Sequence, residues 1–113
     1  VFMENSEFTN YLELIEMGLK SLDDTSLFQK ILKDSATVLR LNDSRMAAEI
    51  QMDRTTINRW RSGASAPNPI MRKSVYIWLK RNTNQMRKTF DKNRKEILNS
   101  TLKESASVII ESP

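Results

Sequence analysis

Apolar residues recur every three or four positions along almost the whole chain, and alternation of apolar and polar residues between glycine or proline turns is absent. This spacing is typical of amphipathic α-helices, because an α-helix has about 3.6 residues per turn whereas a β-strand repeats every second residue. The 113 residues are also enough for one domain with one core. The pattern therefore predicts an all-α fold, namely a compact helical domain.

Composition excludes most catalytic chemistry. The chain has no cysteine and no histidine, so it lacks the usual zinc ligands and the base of a Ser-His-Asp or Cys-His nucleophile. Its six methionines are expected to fill gaps in the core and not to bind a metal. We therefore expect no enzyme, no metal and no cofactor.

No feature of the sequence predicts a membrane or secretory destination. The longest apolar run is far shorter than the ~20 residues of a membrane-spanning helix. The first residues include Glu4 and Glu7, where a secretory signal needs a basic region and an apolar core. We expect a cytoplasmic protein without a membrane partner.

Short polar breaks divide the apolar pattern into helical segments. An apolar stripe spaced by four and three predicts the first helix over about 6–22. Good N-cap residues then precede a second helix over about 27–39. A polar break at 42–44 opens a third helix, and a fourth runs from Asp53 to Gly63, a residue type that suits the left-handed position after a helix end.

A fifth helix begins after Pro69, and helical spacing continues through the basic tail. Trp78 is expected in the core, and the nearby Tyr76 is expected to be half exposed. The terminal segment 105–113 has no predicted element to join, so it is expected either to fray or to dock on a partner.

The segment 43–63 reads DSRMAAEIQMDRTTINRWRSG and has the pattern of a helix-turn-helix. Such a motif needs a small residue where its helices cross, a tight turn, and apolar inner faces on both helices. Ala47 is the small residue. The apolar inner positions are Met46, Ile50, Met52, Ile57 and Trp60. Side chains that can pair with base edges and phosphates point outward from the second helix: Arg54, Thr55, Asn58, Arg59 and Arg61.

Through these residues the segment 26–81 resembles the phage-repressor-like helix-turn-helix regulators, often called the Xre or Cro/CI family. The match rests on Ala47, Glu49, Ile50, the helix RTTINRW over 54–60, Gly63 and Pro67. The resemblance implies that the second motif helix, over about 53–61, lies in the major groove of operator DNA. It implies base contacts from Arg54, Thr55, Asn58 and Arg59. Contacts to the DNA backbone are expected from Ser44, Arg45, Arg61, Arg72 and Lys73.

Two positions depart from the family pattern. Gln51 stands where a turn glycine is usual, so its backbone must adopt a left-handed conformation, which costs about 1 kcal/mol. Asp43 stands where a phosphate-binding glutamine is common, and its charge would repel phosphate. We therefore expect Asn42 or Asp43 to cap the helix instead.

Charge is distributed unevenly along the chain. Residues 1–34 contain three lysines against seven acidic residues, whereas residues 35–81 contain nine basic residues against three acidic ones. A basic centre favours a polyanionic partner, although a solvated helical surface also explains charge counts of this size.

The resemblance divides the chain into an N-terminal helix over 1–25, the helix-turn-helix region over 26–81 and a C-terminal helical extension over 82–113. The N-terminal stripe spans only about two heptads, so it packs either on its own domain or on a second copy. Since family members commonly bind palindromic sites in pairs, we expect one or both flanking helices to form a homodimer interface. The candidate interface residues are Phe8, Leu12, Ile15, Leu19, Leu22, Met86 and Phe90.

The sequence thus predicts a transcriptional regulator that binds double-stranded DNA as a dimer and represses by occupying an operator, associated with the nucleoid when bound. The alternative is a protein-interaction module, such as an antitoxin or adaptor, whose acidic N-terminal helix binds a partner protein.

Overall fold

The computed structural model describes the backbone of residues 5–111 and the side chains of 6–100. Within that range the fold is all-α, as the apolar spacing predicts, and contains no strand. The helices are α1 (Asn5–Lys20), α2 (Thr25–Val38), α3 (Asp43–Ile50), α4 (Arg54–Ser62) and α5 (Pro69–Glu111). None of these helices combines the length and the apolar character that a membrane crossing requires.

Side-chain caps and left-handed residues set the helix ends around the motif. Asp24 Oδ1 accepts a hydrogen bond from the Leu27 backbone nitrogen at 3.0 Å at the start of α2. Asn42 Oδ1 accepts from the Arg45 nitrogen at 2.7 Å, so Asn42 is the cap of α3. Gln51 is left-handed, with φ of 57°, as its place in the motif predicts. Gly63 ends α4 with φ of 84°.

The core lies where α1 packs on α2 and α5, and where α2 packs on α4. Phe28 stands at its centre, because its ring meets Trp60 edge-to-face at a centroid distance of 6.0 Å and Tyr76 at 5.6 Å. Ile57 and Trp60 are buried, as the helical spacing predicts. Core packing thereby connects α4 to the body of the molecule.

The expectation that Tyr76 is half exposed is wrong, because Tyr76 is fully buried, whereas Trp78 is half-buried and packs against the core. Gly18 leaves room for the Tyr76 ring, since a Cβ atom at Gly18 would lie 2.8 Å from Tyr76 Cζ. Two residues further along the helix, Trp78 is turned by about 200° relative to Tyr76 and packs at the edge of the core.

Helix α5 is continuous through residues 81 and 82, where the sequence analysis places a domain boundary. Its 43 residues correspond to about 64 Å of helix, which accounts for most of the 69 Å length of the molecule. Side chains 92–100 are all exposed, so this part of α5 extends beyond the packed body. The helix includes residues 105–111, but their side chains and residues 112–113 lie outside the described part, so the expectation for this segment stays open.

Candidate nucleic-acid interface

Helices α3 and α4 are joined by the short turn 51–53 and pack on each other. The backbone nitrogen of Met52 donates to the carbonyl of Ala47 at 2.9 Å, which closes the end of α3. Ala47 is 6% exposed and Met46 is fully buried, so the small and apolar residues lie inside as the motif requires. Ile50 and Met52 are half-buried beside them. The arrangement is a helix, a turn and a helix with an apolar interior.

One face of α4 is held in the core and the opposite face is open to solvent. Ile57 is fully buried and Trp60 is 4% exposed. The expected base-reading residues are all exposed: Arg54, Thr55, Asn58 and Arg59. Among the described residues, neither Arg54 nor Arg59 takes part in an ion pair. These side chains are therefore available to a ligand.

Asp43, at the start of α3, links two side chains of α4. Arg61 Nε donates to Asp43 Oδ1 at 2.6 Å, and Asn58 Nδ2 donates to Asp43 Oδ2 at 3.3 Å. The side chains of Arg61 and Asp43 are only 15% and 20% exposed, so water screens this ion pair less than a surface pair. The carboxylate thus has a cation on one oxygen and an amide on the other.

Arg61 also reaches α2, which corrects its expected role as a contact to the DNA backbone. Its Nη1 donates to the carbonyl of Leu32 and to Ser35 Oγ, the latter at 3.2 Å. Its Nη2 is buried and has no hydrogen-bond partner among the described residues. Because the guanidinium is enclosed by three helices, its one unpaired nitrogen is buried and cannot be offered to a phosphate.

Arg72 is corrected for the same reason. It is only 8% exposed, and its Nη1 donates to the carbonyl of Leu22 in the α1–α2 connection. Its neighbour Lys73 is exposed and remains a candidate for a phosphate contact. Adjacent basic residues of α5 therefore have different environments, one inside the fold and one in solvent.

The remaining backbone candidates lie in the first turn of α3. Ser44 and Arg45 are both exposed. Arg45 pairs with Glu49 one turn later, with Nε and Oε1 3.4 Å apart and both side chains in solvent. Exposed pairs of this kind contribute little to stability, so the guanidinium can exchange its carboxylate for another anion.

Part of the expected dimer interface lies inside the single chain, so Phe8 and Ile15 are corrected to core residues. Phe8 is 1% exposed and contacts Phe90 edge-to-face at 6.0 Å, and Ile15 is fully buried. A second copy cannot reach these two side chains without opening the core. The other candidates are half-buried: Leu12, Leu19, Leu22, Met86 and Phe90.

The sequence indicated Asp43 as a departure from a phosphate-binding position and as one of two candidate helix caps, and did not predict its contacts with α4. A usable signal was present, because Asp43 and Arg61 carry opposite charges at the start of the first motif helix and the end of the second. No group of three or more acidic side chains in the described range is arranged to hold a metal ion. Comparison with family models, curated proteins and solved structures finds no match, so the interpretation of this surface rests on its own geometry.

Proposed function

We propose that this protein is a sequence-specific DNA-binding regulator of transcription that places α4 in the major groove of duplex DNA. The observation that supports the proposal is the exposed face formed by Arg54, Thr55, Asn58 and Arg59, opposite a face fixed in the core. Arginine pairs with the two acceptors of guanine, asparagine with adenine, and threonine with several base edges. Because the opposite face of α4 is packed in the core, these side chains keep fixed positions relative to one another.

Electrostatics support the same proposal. Residues 35–81 carry nine basic side chains against three acidic ones, which favours a polyanion. Of those acids, Asp43 has Arg61 as its counter-ion and Glu49 is paired with Arg45. Two of the three acids are therefore compensated before DNA approaches, and the third, Asp53, is exposed without an ion pair among the described residues.

The proposed mechanism is repression by occupation of an operator. Two copies would place their α4 helices about one turn of DNA, roughly 34 Å, apart on an inverted repeat. The contact between copies excludes Phe8 and Ile15, because both are buried in the single chain. The bound dimer would then block access of RNA polymerase to the promoter.

The protein-interaction alternative has lost part of its support. It needs the apolar stripe of α1 to be free for a partner, but α1 packs on α2 and α5 of its own chain. We therefore retain the protein-interaction function only as the interpretation that a failure of DNA binding would favour.

The salt dependence of binding to a labelled duplex of mixed sequence tests the DNA-binding step. Contacts to phosphates release counterions, so the affinity should fall with a log–log slope of about −0.9 for each phosphate neutralised. Arg59→Met should lower the affinity, whereas Lys20→Met, an equal change of charge at the exposed end of α1, should leave it nearly unchanged. Equal losses for the two variants, or binding that does not depend on salt, would contradict the proposal.

A further inference from the structure

Asn58 is the one expected base-reading residue for which the structure records a side-chain partner within the described part of the chain. Its Nδ2 donates to Asp43 Oδ2 at 3.3 Å. An ionised carboxylate accepts hydrogen bonds and cannot donate them. The nitrogen of the amide must therefore face Asp43, and the alternative orientation, with the amide oxygen toward the carboxylate, is disfavoured.

Asp43 is itself held in place. Arg61 Nε donates to its other oxygen at 2.6 Å, and Arg61 is anchored on Ser35 Oγ at 3.2 Å and on the Leu32 carbonyl. Two of the anchoring groups belong to α2, the carboxylate to α3, and Arg61 to α4. The Asp43 carboxylate, which orients Asn58, is thus held by groups from three helices and is not free to rotate in solvent.

The oriented amide has a defined recognition chemistry. With one Nδ2 hydrogen on Asp43, Asn58 still has one N–H donor and the Oδ1 acceptor side by side. Adenine presents the matching pair in the major groove, an acceptor at N7 and a donor at N6, whereas guanine presents two acceptors. We propose that Asp43 is a positioning residue that fixes the Asn58 amide and so makes this position of the site select adenine. This inference rests on the proposed function, since it requires α4 to enter the major groove.

The experiment begins with the DNA site that the full-length protein enriches from a random pool. The adenine whose preference is lost in Asn58→Ala is then replaced by guanine or by 7-deazaadenine, which lacks the N7 acceptor. We expect the wild-type protein to bind the adenine duplex about 5- to 150-fold more tightly than the guanine duplex. The 7-deazaadenine duplex should fall between them, because one of the two hydrogen bonds is lost.

Asp43→Asn is the test variant and Asp53→Asn is its matched control. An asparagine at position 43 can still accept from Arg61, but it can present a donor to Asn58 and release the amide orientation. Asp53 is exposed and its side chain makes no cap hydrogen bond, so Asp53→Asn removes the same charge near the start of α4 without touching Asn58. Adenine preference over both analogues should fall to less than about 2-fold in Asp43→Asn and stay at the wild-type value in Asp53→Asn.

Circular dichroism and thermal unfolding establish that the variants are folded. If Asp43→Asn does not fold, the double variant Asp43→Leu and Arg61→Met replaces it, since apolar substitution of both partners of an ion pair that is largely shielded from water is often neutral. Its adenine preference should also be lost. Full adenine preference in a folded Asp43 variant would overturn the positioning role and leave the proposed function standing. Absence of any enriched site with the wild-type protein would overturn the proposed function and this inference together.

Discussion

Arg61 and Asp43 are 18 residues apart in the sequence, yet Arg61 Nε lies 2.6 Å from Asp43 Oδ1. The pair joins the last turn of α4 to the first residue of α3, and Arg61 continues to the Leu32 carbonyl of α2. A residue that sequence analysis assigns to DNA instead connects the helices of the motif. Stability and DNA binding should therefore respond to different arginines of α4.

Arg61→Met should lower the free energy of unfolding by about 3 kcal/mol, because it leaves a half-buried carboxylate without its counter-ion. Arg59→Met changes the same charge on the same helix, but Arg59 is exposed and unpaired among the described ion pairs. It should change the free energy of unfolding by no more than about 0.5 kcal/mol. Urea unfolding of both variants provides the comparison. A loss for Arg61→Met as small as that for Arg59→Met would show that the ion pair does not support the fold.

Arg72→Met should lower the stability of the protein, whereas Lys73→Met should weaken its binding to DNA. Arg72 is 8% exposed and donates to the Leu22 carbonyl, so its loss should cost about 2 kcal/mol of stability. Lys73 is exposed, and Lys73→Met should leave the stability unchanged while reducing the salt slope of DNA binding by about 0.9. The DNA binding of each variant is measured at a temperature where both variants are folded. Equal losses of affinity would return Arg72 to the list of phosphate contacts.

Two buried tyrosines should respond differently to removal of their hydroxyl groups. Tyr11 donates to the Ile31 carbonyl at 2.8 Å, so Tyr11→Phe should destabilise the protein by about 1 kcal/mol. The Tyr76 hydroxyl is buried without a hydrogen-bond partner among the described residues, so Tyr76→Phe should be neutral or stabilising. Thermal unfolding midpoints of the two variants distinguish these effects. A larger loss for Tyr76→Phe than for Tyr11→Phe would contradict the assigned hydrogen bond.

The same tyrosines predict a loss of stability at alkaline pH. Burial raises the pKa of Tyr76 to about 12 and also raises the pKa of Tyr11, against an ordinary value of 10.0. Above pH 10 the native state therefore keeps the hydroxyl protons of these tyrosines, whereas the unfolded chain loses them. The contribution of the two tyrosines to the free energy of unfolding is fully present below about pH 10 and decreases as the pH rises beyond it. The urea midpoint of the wild-type protein should fall more steeply above pH 10 than that of the double variant Tyr11→Phe and Tyr76→Phe. Parallel curves would contradict this prediction.

Much of the fold could be predicted from the pattern of residues close together in the sequence. Apolar spacing places Ile57 and Trp60 inside because the helical period alone decides which face of α4 is buried. The left-handed backbone at Gln51 follows from its place in the turn, although the residue type disfavours it. Such features depend on neighbours within a few residues, which the sequence displays directly.

Long-range partners could not be obtained in the same way. The carbonyl anchors of Arg61 and Arg72 belong to Leu32 and Leu22, 29 and 50 residues away, and a backbone carbonyl leaves no signal in the sequence. Only the charge of Asp43 indicated a partner for Arg61. Phe8 and Ile15 fit a helix stripe equally well whether α5 of the same chain or a second copy covers it. Only the assembled fold distinguishes these cases.

The decisive measurement is the selection of bound duplexes from a random DNA pool by the purified protein at near-physiological salt. We expect an enriched inverted repeat with half-sites about 10 base pairs apart, and an Asn58→Ala selection that loses one adenine from each half-site. A pool without enrichment above background, or an unchanged site after Asn58→Ala, would contradict the claim that the exposed face of α4 reads DNA.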